Sequence, residues 1–331
     1  MPSEKLLHHH SDFSDLIRIV GREHSIEPAL VEKDYWIMHC LYGLQQLGMI
    51  FELKGGTSLS KGYGVIDRFS EDIDIRIEPL ASMDVKTGRN QDSPAHCESR
   101  RRFYDWLAET IKIDGIDIVK RDHTFDDPKY RSGGIRLFYK NLTGPITGLK
   151  DGILLETGFD DVTPNAPKDI SSWAYDYAVG KVSITDNRAK AVACYHPGYT
   201  LVEKLQTIST KYRQQQKDGT MPVNFMRHYY DIYCLLNVPE VQAFIGTPEY
   251  YAHKQKRFRS GDNPDLKQNE AFHLNNPETR QEYAEAYAAT RALYYKDQPG
   301  FDEILKRLKS FVEKVHENSK ERFSSDHEID M

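Results

Sequence analysis

Apolar residues recur with two different spacings along the chain. Positions 13, 16, 17 and 20 follow helical spacing, and a second apolar-rich helical pattern covers 28–47. Beyond it the pattern shortens, which predicts strands at 49–54, 71–78, 116–121, 135–140 and 149–157 and a helix at 99–111. The segment 159–181 is rich in Pro and Asp and is predicted to be a long connection.

After Pro197 every apolar pattern has helical spacing. Leu201, Val202 and Leu205 begin one such face, and the clearest amphipathic helix runs over 301–315, while 259–279 is a polar interruption. The patterns predict an α+β protein. Its N-terminal domain, residues 1–181, combines a small mixed sheet with helices, and its C-terminal domain, residues 182–331, is helical.

Composition excludes several classes of protein. The 331 residues carry 44 basic and 50 acidic side chains, a net charge of −6, so a chain that is cationic all over is excluded. No apolar run reaches the roughly 18 residues that a membrane span needs, and the start of the chain has no signal-peptide pattern. The four cysteines form no C-x-x-C pair. We expect a cytoplasmic protein without disulfides or a cysteine zinc site.

The predicted strand 71–78 carries an unusual pair of acidic residues. Alternation places Asp72 and Asp74 on one face and Ile73, Ile75 and Ile77 on the other. Aspartate is depleted in strands, and two carboxylates about 7 Å apart on one face repel each other unless a cation lies between them. The pair is either a solvated face of an edge strand or a site for a hard cation such as Mg²⁺.

A second motif lies upstream, where a strand leads into Lys54-Gly55-Gly56-Thr57-Ser58. Glycines allow a ligand to approach the backbone closely, and free amides with nearby hydroxyls suit phosphate oxygens. The alternative is an ordinary turn in which a hydroxyl caps a short helix. Fourteen residues separate Thr57 from Asp72, and the two motifs together are more specific than either alone.

These two motifs, Lys54-Gly-Gly-Thr-Ser-Leu and Arg68-Phe-Ser-Glu-Asp-Ile-Asp74, resemble the signature of the AbiEii/AbiGii nucleotidyltransferase toxins. That family belongs to the DNA polymerase β-like nucleotidyltransferase superfamily. The resemblance covers roughly residues 25–240. Three further stretches carry it: Val31-Glu-Lys-Asp-Tyr-Trp36, Leu201-Val-Glu-Lys-Leu205 and Arg227-His-Tyr-Tyr-Asp-Ile-Tyr233, in which His228 stands where the family usually has Asp.

The resemblance implies a polymerase-β-like palm that transfers a nucleoside monophosphate from an NTP to an acceptor hydroxyl. One or two Mg²⁺ ions would bind Asp72, Asp74 and Glu156, with Lys204 across a cleft in the helical domain. The catalytic set it implies is Asp72, Asp74, Glu156, Lys204 and Asp231, and the nucleotide-binding set is Lys54, Gly55, Gly56, Thr57, Ser58, Lys204 and Lys211.

Several of these residues have a second interpretation. Glu156 is equally well a solvated carboxylate at a strand end. Apart from the resemblance, Lys204 and Lys211 are better explained as surface lysines with apolar stems. Asp231 lies in a helix that is apolar nearly all round, so it needs a partner. Arg227, four residues earlier, is one candidate.

Partners follow from the resemblance and from one basic segment. The family implies RNA as the acceptor, such as a tRNA 3′ end, and a toxin–antitoxin or phage-defence setting with a separate antitoxin. Protein modification and nucleotide binding without catalysis are the alternatives. Basic and aromatic residues alternate near 250–259, which makes Lys254, Lys256, Arg257 and Arg259 candidate RNA contacts or a solvated helix end. Arg100–Arg102 is a weaker patch, and His8–His10 is predicted to be a mobile N-terminus.

Overall fold

The computed structural model describes residues 5–144 and 149–328, with side chains up to residue 315. The chain forms two compact units. The first consists of Met1–Gly64 and Phe69–Tyr195, and the second of Val65–Arg68 and His196–Met331. The short segment Val65–Arg68, which lies between the two sequence motifs, is therefore part of the second unit.

The first unit is built around a seven-stranded sheet. Its strands are β1 (Phe51–Lys54), β2 (Asp72–Ile77), β3 (Ile116–Asp122), β4 (Ser132–Tyr139), β5 (Ile153–Gly158), β6 (Asn165–Ile170) and β7 (Ala189–Tyr195). The order across the sheet is β3-β4-β5-β2-β1-β7-β6. The central strand β2 pairs antiparallel with β1 and parallel with β5, so the sheet is mixed.

Four helices of the first unit are α1 (Phe13–His24), α2 (Pro28–Gln46), α4 (Pro94–Thr110) and α5 (Trp173–Ala178). A fifth, α3 (Gly55–Thr57), continues into a π-helical turn, Ser58–Gly62. The apolar face of β2 is buried as the alternation predicts, with Ile73 and Ile75 at 0% exposure. Contacts of α2 with β7 and β5 show that this helix packs on the sheet.

The second unit contains six helices in its described residues. They are α6 (Pro197–Asp218), α7 (Arg227–Leu235), α8 (Pro239–Phe244), α9 (Pro248–Arg257), α10 (Pro277–Ala288) and α11 (Phe301–Glu328). Ile304 and Leu308 of α11 are fully buried, as its apolar stripe predicts. The predicted α+β class is confirmed: a mixed sheet with helices is followed by a helical C-terminal region. In the residues described here, no helix is long and apolar enough to cross a membrane.

Segment 159–181 is not the long connection predicted from its composition, because it contains β6 and α5. The strand β6 has the sequence Asn-Ala-Pro-Lys-Asp-Ile and lies at the edge of the sheet. An edge strand tolerates proline and polar residues because one side of it needs no partner strand. The helix α5 in the same segment has only six residues, which is too few to establish a helical period.

The prediction of a mobile N-terminus at His8–His10 is wrong. Leu7–His9 form a 3₁₀ turn, and the Leu7 side chain is only 1% exposed. The His8 Nδ1 atom lies 2.7 Å from the Tyr35 hydroxyl on α2. Partners this distant in sequence leave no local pattern from which the turn could be inferred.

The basic patch predicted at Arg100–Arg102 is also wrong for its first residue. Arg100 is fully buried, and its guanidinium donates to the carbonyls of Lys86, Gln91 and Lys129. Arg100 therefore ties the loop before α4 and the loop before β4 to the helix. Its buried position follows from helical periodicity together with Phe103 and Leu107 of the same face, which are also buried.

Candidate active site

Three charged side chains form a row across the centre of the sheet. Asp74 of β2 is the direct cross-strand partner of Lys54 on β1 and of Glu156 on β5. Directly paired residues point to the same face, so these side chains share one surface, with Asp72 two residues before Asp74 on that face. The sheet therefore brings the predicted third carboxylate, Glu156, beside the aspartate pair.

The turn after β1 lies directly against the aspartates. Gly55 has φ +71°, and a Cβ atom built there would lie 2.1 Å from Asp74 Oδ2. Glycine is required at this position both by the left-handed backbone and by the close approach of a carboxylate. Thr57 donates its hydroxyl proton to the Asp72 carbonyl. The two sequence motifs are therefore neighbours in space.

Burial and charge determine the protonation of Glu156. Burial raises the pKa of the Glu156 carboxyl, and the negative charge of Asp72 raises it further, while Lys54 and Lys150 act in the opposite direction. The Glu156 side chain also shares a hydrogen bond with Asp74. That hydrogen bond acts against burial and lowers the pKa of Glu156, because it stabilises the ionised carboxylate as the acceptor.

A lysine that the sequence analysis did not single out neutralises Asp72. Lys150 Nζ lies 2.9 Å from Asp72 Oδ2 and 3.2 Å from Asp72 Oδ1. Among the described residues, the carboxylates of Asp72, Asp74 and Glu156 do not form a group whose ligand atoms all lie within 4.8 Å of one another. Three carboxylates on one face, one of them paired with an ammonium ion, nevertheless suit a hard divalent cation, which prefers oxygen ligands.

A comparison with protein families identifies the chain. The model of the family described as nucleotidyl transferase AbiEii toxin, Type IV TA system, matches residues 39–307. The chain belongs to the AbiEii family. No curated protein matches it significantly. The resemblance predicted from the two motifs is thus confirmed, and the chain is a member of a nucleotidyltransferase toxin family whose toxin–antitoxin setting implies a cognate antitoxin.

In this AbiEii chain, α2 carries three consecutive charged residues with buried side chains, Glu32, Lys33 and Asp34. Lys33 Nζ lies 3.4 Å from Glu71 Oε2 and donates to the Lys150 carbonyl. Glu71 in turn accepts from the Lys150 backbone amide at 2.9 Å. Lys33 and Glu71 together therefore position the backbone of Lys150, whose side chain pairs with Asp72.

The other two charged residues of α2 bind segments on either side. Asp34 lies 2.8 Å from Lys61 Nζ, at the end of the glycine-rich turn, and accepts from the Trp173 amide. Glu32 accepts from the Leu142 amide and from Thr143. This stretch carries part of the family resemblance, and no role for its charged residues follows from the sequence alone. The available signal was three charges in a row within an otherwise apolar helix.

The second unit places Asp231 between two cations. Arg68 donates from Nε to Asp231 Oδ1 at 2.6 Å and from Nη2 to Oδ2 at 2.7 Å, and Lys204 Nζ lies 2.6 Å from Oδ2. Burial alone raises the pKa of the Asp231 carboxyl, but Arg68 and Lys204 outweigh it and the pKa is lowered. The sequence offered Arg227 as the partner, whereas the structure supplies Arg68 and Lys204.

Positive charge surrounds this triad on α6 and α7. Burial lowers the pKa of Lys211 to about 8, with Lys204 and Arg227 adding to the effect. Burial also lowers the pKa of His228 well below its usual value, again with Lys204 and Lys211 contributing. These surroundings therefore favour the neutral form of the His228 ring. Lys204 and Lys211 lie in the same positively charged region, but Lys204 already forms an ion pair with Asp231.

The basic segment predicted to contact RNA lies on α9 and just beyond it. Lys254 packs over the Phe258 ring, 5.6 Å from its centre, and burial lowers the Lys254 pKa to about 8. Arg257 Nη2 lies 3.4 Å from Glu203 Oε1. Lys256 and Arg259 are exposed. The two exposed cations are thus the best placed of the four to meet a polyanion, and their role stays a prediction.

Proposed function

We propose that this chain is a Mg²⁺-dependent nucleotidyltransferase toxin that acts in the cytoplasm. It takes a nucleoside monophosphate from an NTP and transfers it to an acceptor hydroxyl, with the 3′ end of a tRNA as the acceptor. The observation that carries the proposal is the row of Lys54, Asp74 and Glu156 beside Asp72, with the Gly55 backbone packed against Asp74, in a member of the AbiEii family.

In this reaction the acceptor hydroxyl attacks the α-phosphorus, the α–β phosphoanhydride bond breaks, and pyrophosphate leaves. One or two Mg²⁺ ions held by Asp72, Asp74 and Glu156 would offset the negative charge that builds up on the phosphate oxygens. The residues Gly55 to Ser58 offer backbone amides and hydroxyls to the phosphates. Lys54, on the same face, supplies a fixed positive charge beside them.

Two features of the site set conditions for turnover. Lys150 has to release Asp72 when Asp72 takes up another cation, and its Nζ is then free to contact a phosphate oxygen. Glu156 either ligates a metal ion or accepts the proton of the attacking hydroxyl, and for the second task its carboxyl has to be ionised first. The raised pKa of Glu156 suits it to that second task.

The test is transfer of radiolabel by the purified full chain. Each NTP, labelled in turn at the α- and γ-phosphate, is incubated with Mg²⁺ and either total tRNA or candidate protein acceptors. We expect α-label on tRNA and none on protein. Asp72→Asn should abolish transfer while changing the free energy of unfolding by less than about 1 kcal/mol, because Asp72 and Lys150 are both partly exposed.

Asp117→Asn is the matched control, since Asp117 is an exposed aspartate on β3 of the same unit. It should leave transfer unchanged. Label on protein instead of tRNA would replace the RNA acceptor with protein modification, and γ-label there would indicate phosphoryl transfer. Binding of NTP with no transfer to either acceptor would reduce the chain to a nucleotide-binding module.

RNA contact by the segment 254–259 has a separate readout. If Lys256 and Arg259 meet the acceptor, the logarithm of tRNA affinity should fall linearly with the logarithm of salt concentration, and Lys256→Gln should make that slope shallower by about one. An affinity that does not respond to salt would remove this segment from the acceptor site.

A further inference from the structure

Two histidines and one aspartate converge at a place remote in sequence from the carboxylate site. Asp114 Oδ1 lies 2.7 Å from His8 Nε2 and 2.6 Å from His9 Nε2. Among the described residues these three side chains form the group of potential metal ligands whose atoms all lie within 4.8 Å of one another. His10, the third histidine of the run, is not part of it.

A second layer of hydrogen bonds orients the inner histidine. His8 Nδ1 lies 2.7 Å from the Tyr35 hydroxyl, which also accepts from Asn187 Nδ2 at 3.1 Å. Asn187 contacts His39 Nδ1 at 2.9 Å, and His39 Nε2 lies 2.9 Å from the Asp114 carbonyl. These contacts form a continuous chain of hydrogen bonds from the side chain of His8 to the backbone of Asp114, so both of its ends are proposed ligands of the cluster. Metal-binding histidines are oriented by such partners on the other ring nitrogen.

The cluster is open on one side. The His8 side chain is 5% exposed, whereas those of His9 and Asp114 are 50% and 53% exposed. An ion bound here would therefore have protein ligands on its inner side and water on its outer side. Three protein ligands and one open position are typical of zinc sites that keep a water molecule.

We propose that His8, His9 and Asp114 bind a Zn²⁺-class divalent transition metal ion, separate from the Mg²⁺ ions of the nucleotidyl transfer site. Imidazole nitrogen favours Zn²⁺ and its neighbours in the first transition row, whereas Mg²⁺ favours oxygen ligands alone. Tetrahedral ligands at about 2.0–2.2 Å from the ion lie about 3.4 Å apart, so each present nitrogen–oxygen contact lengthens by about 0.7 Å.

The protonation of His8 is compatible with this role. Metal binding through Nε2 requires a neutral ring with its proton on Nδ1, where the Tyr35 hydroxyl oxygen can accept it. The ion would join the N-terminal 3₁₀ turn to the residues that follow α4, more than a hundred positions along the chain, and so would raise thermal stability.

The experiment is calorimetric titration of the metal-stripped full chain with ZnCl₂, alongside the visible absorption of bound Co²⁺. We expect one site and a higher melting temperature with Zn²⁺. Asp114→Asn and His9→Gln should each weaken Zn²⁺ binding more than about tenfold. His123→Gln is the matched control, because His123 also pairs with an aspartate, Asp126, at 2.8 Å on the surface. This variant should bind Zn²⁺ as the native chain does.

Three results would overturn the proposal. One is no saturable Zn²⁺ binding by the native chain. Another is unchanged affinity in Asp114→Asn, which keeps all three histidines, since the histidine run alone would then account for binding. The third is loss of Zn²⁺ binding in Asp72→Asn, which would assign the ion to the carboxylate site. Far-UV circular dichroism of each variant checks that the fold is retained.

Discussion

Removing the charge of Asp231 is expected to destabilise the second unit severely. Its carboxylate is 0% exposed and receives two hydrogen bonds from Arg68 and a close contact from Lys204 Nζ. Asp231→Asn keeps the size of the side chain and removes its charge. Two buried cations, 6% and 9% exposed, are then left without the carboxylate between them.

The magnitude follows from the burial of all three side chains. Breaking a buried ion pair by removing one partner typically destabilises a protein by about 3–5 kcal/mol, because the remaining charge stays desolvated. With two cations left behind, we expect a loss at the upper end of that range. Removing one partner of an exposed ion pair of similar geometry would lower the free energy of unfolding by less than about 1 kcal/mol.

The same triad predicts a pH dependence. The pKa of Asp231 is lower in the folded than in the unfolded chain. Its contribution is therefore complete above the unfolded value of about 3.9 and is lost as the pH falls below it. The native chain should lose stability on acidification below about pH 4 more steeply than Asp231→Asn, which has no such group to protonate.

Urea unfolding followed by far-UV circular dichroism measures both effects. Asp302→Asn is the matched control, because Asp302 pairs with Arg280 at 2.7 Å but is 78% exposed in the same unit. A loss in Asp231→Asn no larger than that in Asp302→Asn would refute the reasoning that desolvation of Arg68 and Lys204 sets the penalty.

Two further predictions concern the first unit. Gly55→Ala should reduce nucleotidyl transfer by at least about a hundredfold, because the new Cβ atom displaces Asp74. Gly64→Ala is its control, since Gly64 has φ +62° and a Cβ atom built there has nothing within 4 Å. That variant bears only the backbone strain of about 1–2 kcal/mol and should keep its activity. Arg100→Leu should lower the free energy of unfolding in urea by about 2 kcal/mol or more, because it removes the guanidinium that donates to the Lys86 and Lys129 carbonyls, while Arg131 still donates to the Gln91 carbonyl. Arg102→Leu, at a side chain 69% exposed, should change it by less than about 0.5 kcal/mol. Equal effects within either pair would contradict the corresponding argument.

Elements with a strong apolar period were predictable, and polar or very short ones were not. The alternation of Ile73, Ile75 and Ile77 located β2, and the stripe of α11 located that helix. Strand β6 was not predicted, because an edge strand of polar residues has no apolar alternation to detect. Its place in the sheet depends on backbone pairing with β7, which leaves no signature in side-chain type.

The candidate site was predictable as far as local motifs reach. The glycine-rich turn and the aspartate pair were each detected as a motif, and the structure places them side by side. Lys150 was missed, because its contact with Asp72 joins residues 78 positions apart. The partner suggested for Asp231 came from helical spacing, which reveals only residues three or four positions away. Its actual partner Arg68 lies 163 positions away, within a motif already quoted for another reason.

Exposure separates two kinds of charged residue that a sequence motif presents as equals. Glu71 and Asp72 are adjacent carboxylates, yet Glu71 is 3% exposed and bonded to Lys33 and the Lys150 amide, whereas Asp72 is 22% exposed and bonded to the flexible end of Lys150. A carboxylate engaged by a buried ammonium ion and a backbone amide has little capacity left for a ligand. The neighbouring one can exchange a lysine for a metal ion. Glu71→Gln should therefore act through the position of Lys150, with partial loss of nucleotidyl transfer and of stability, whereas Asp72→Asn should abolish transfer with stability retained.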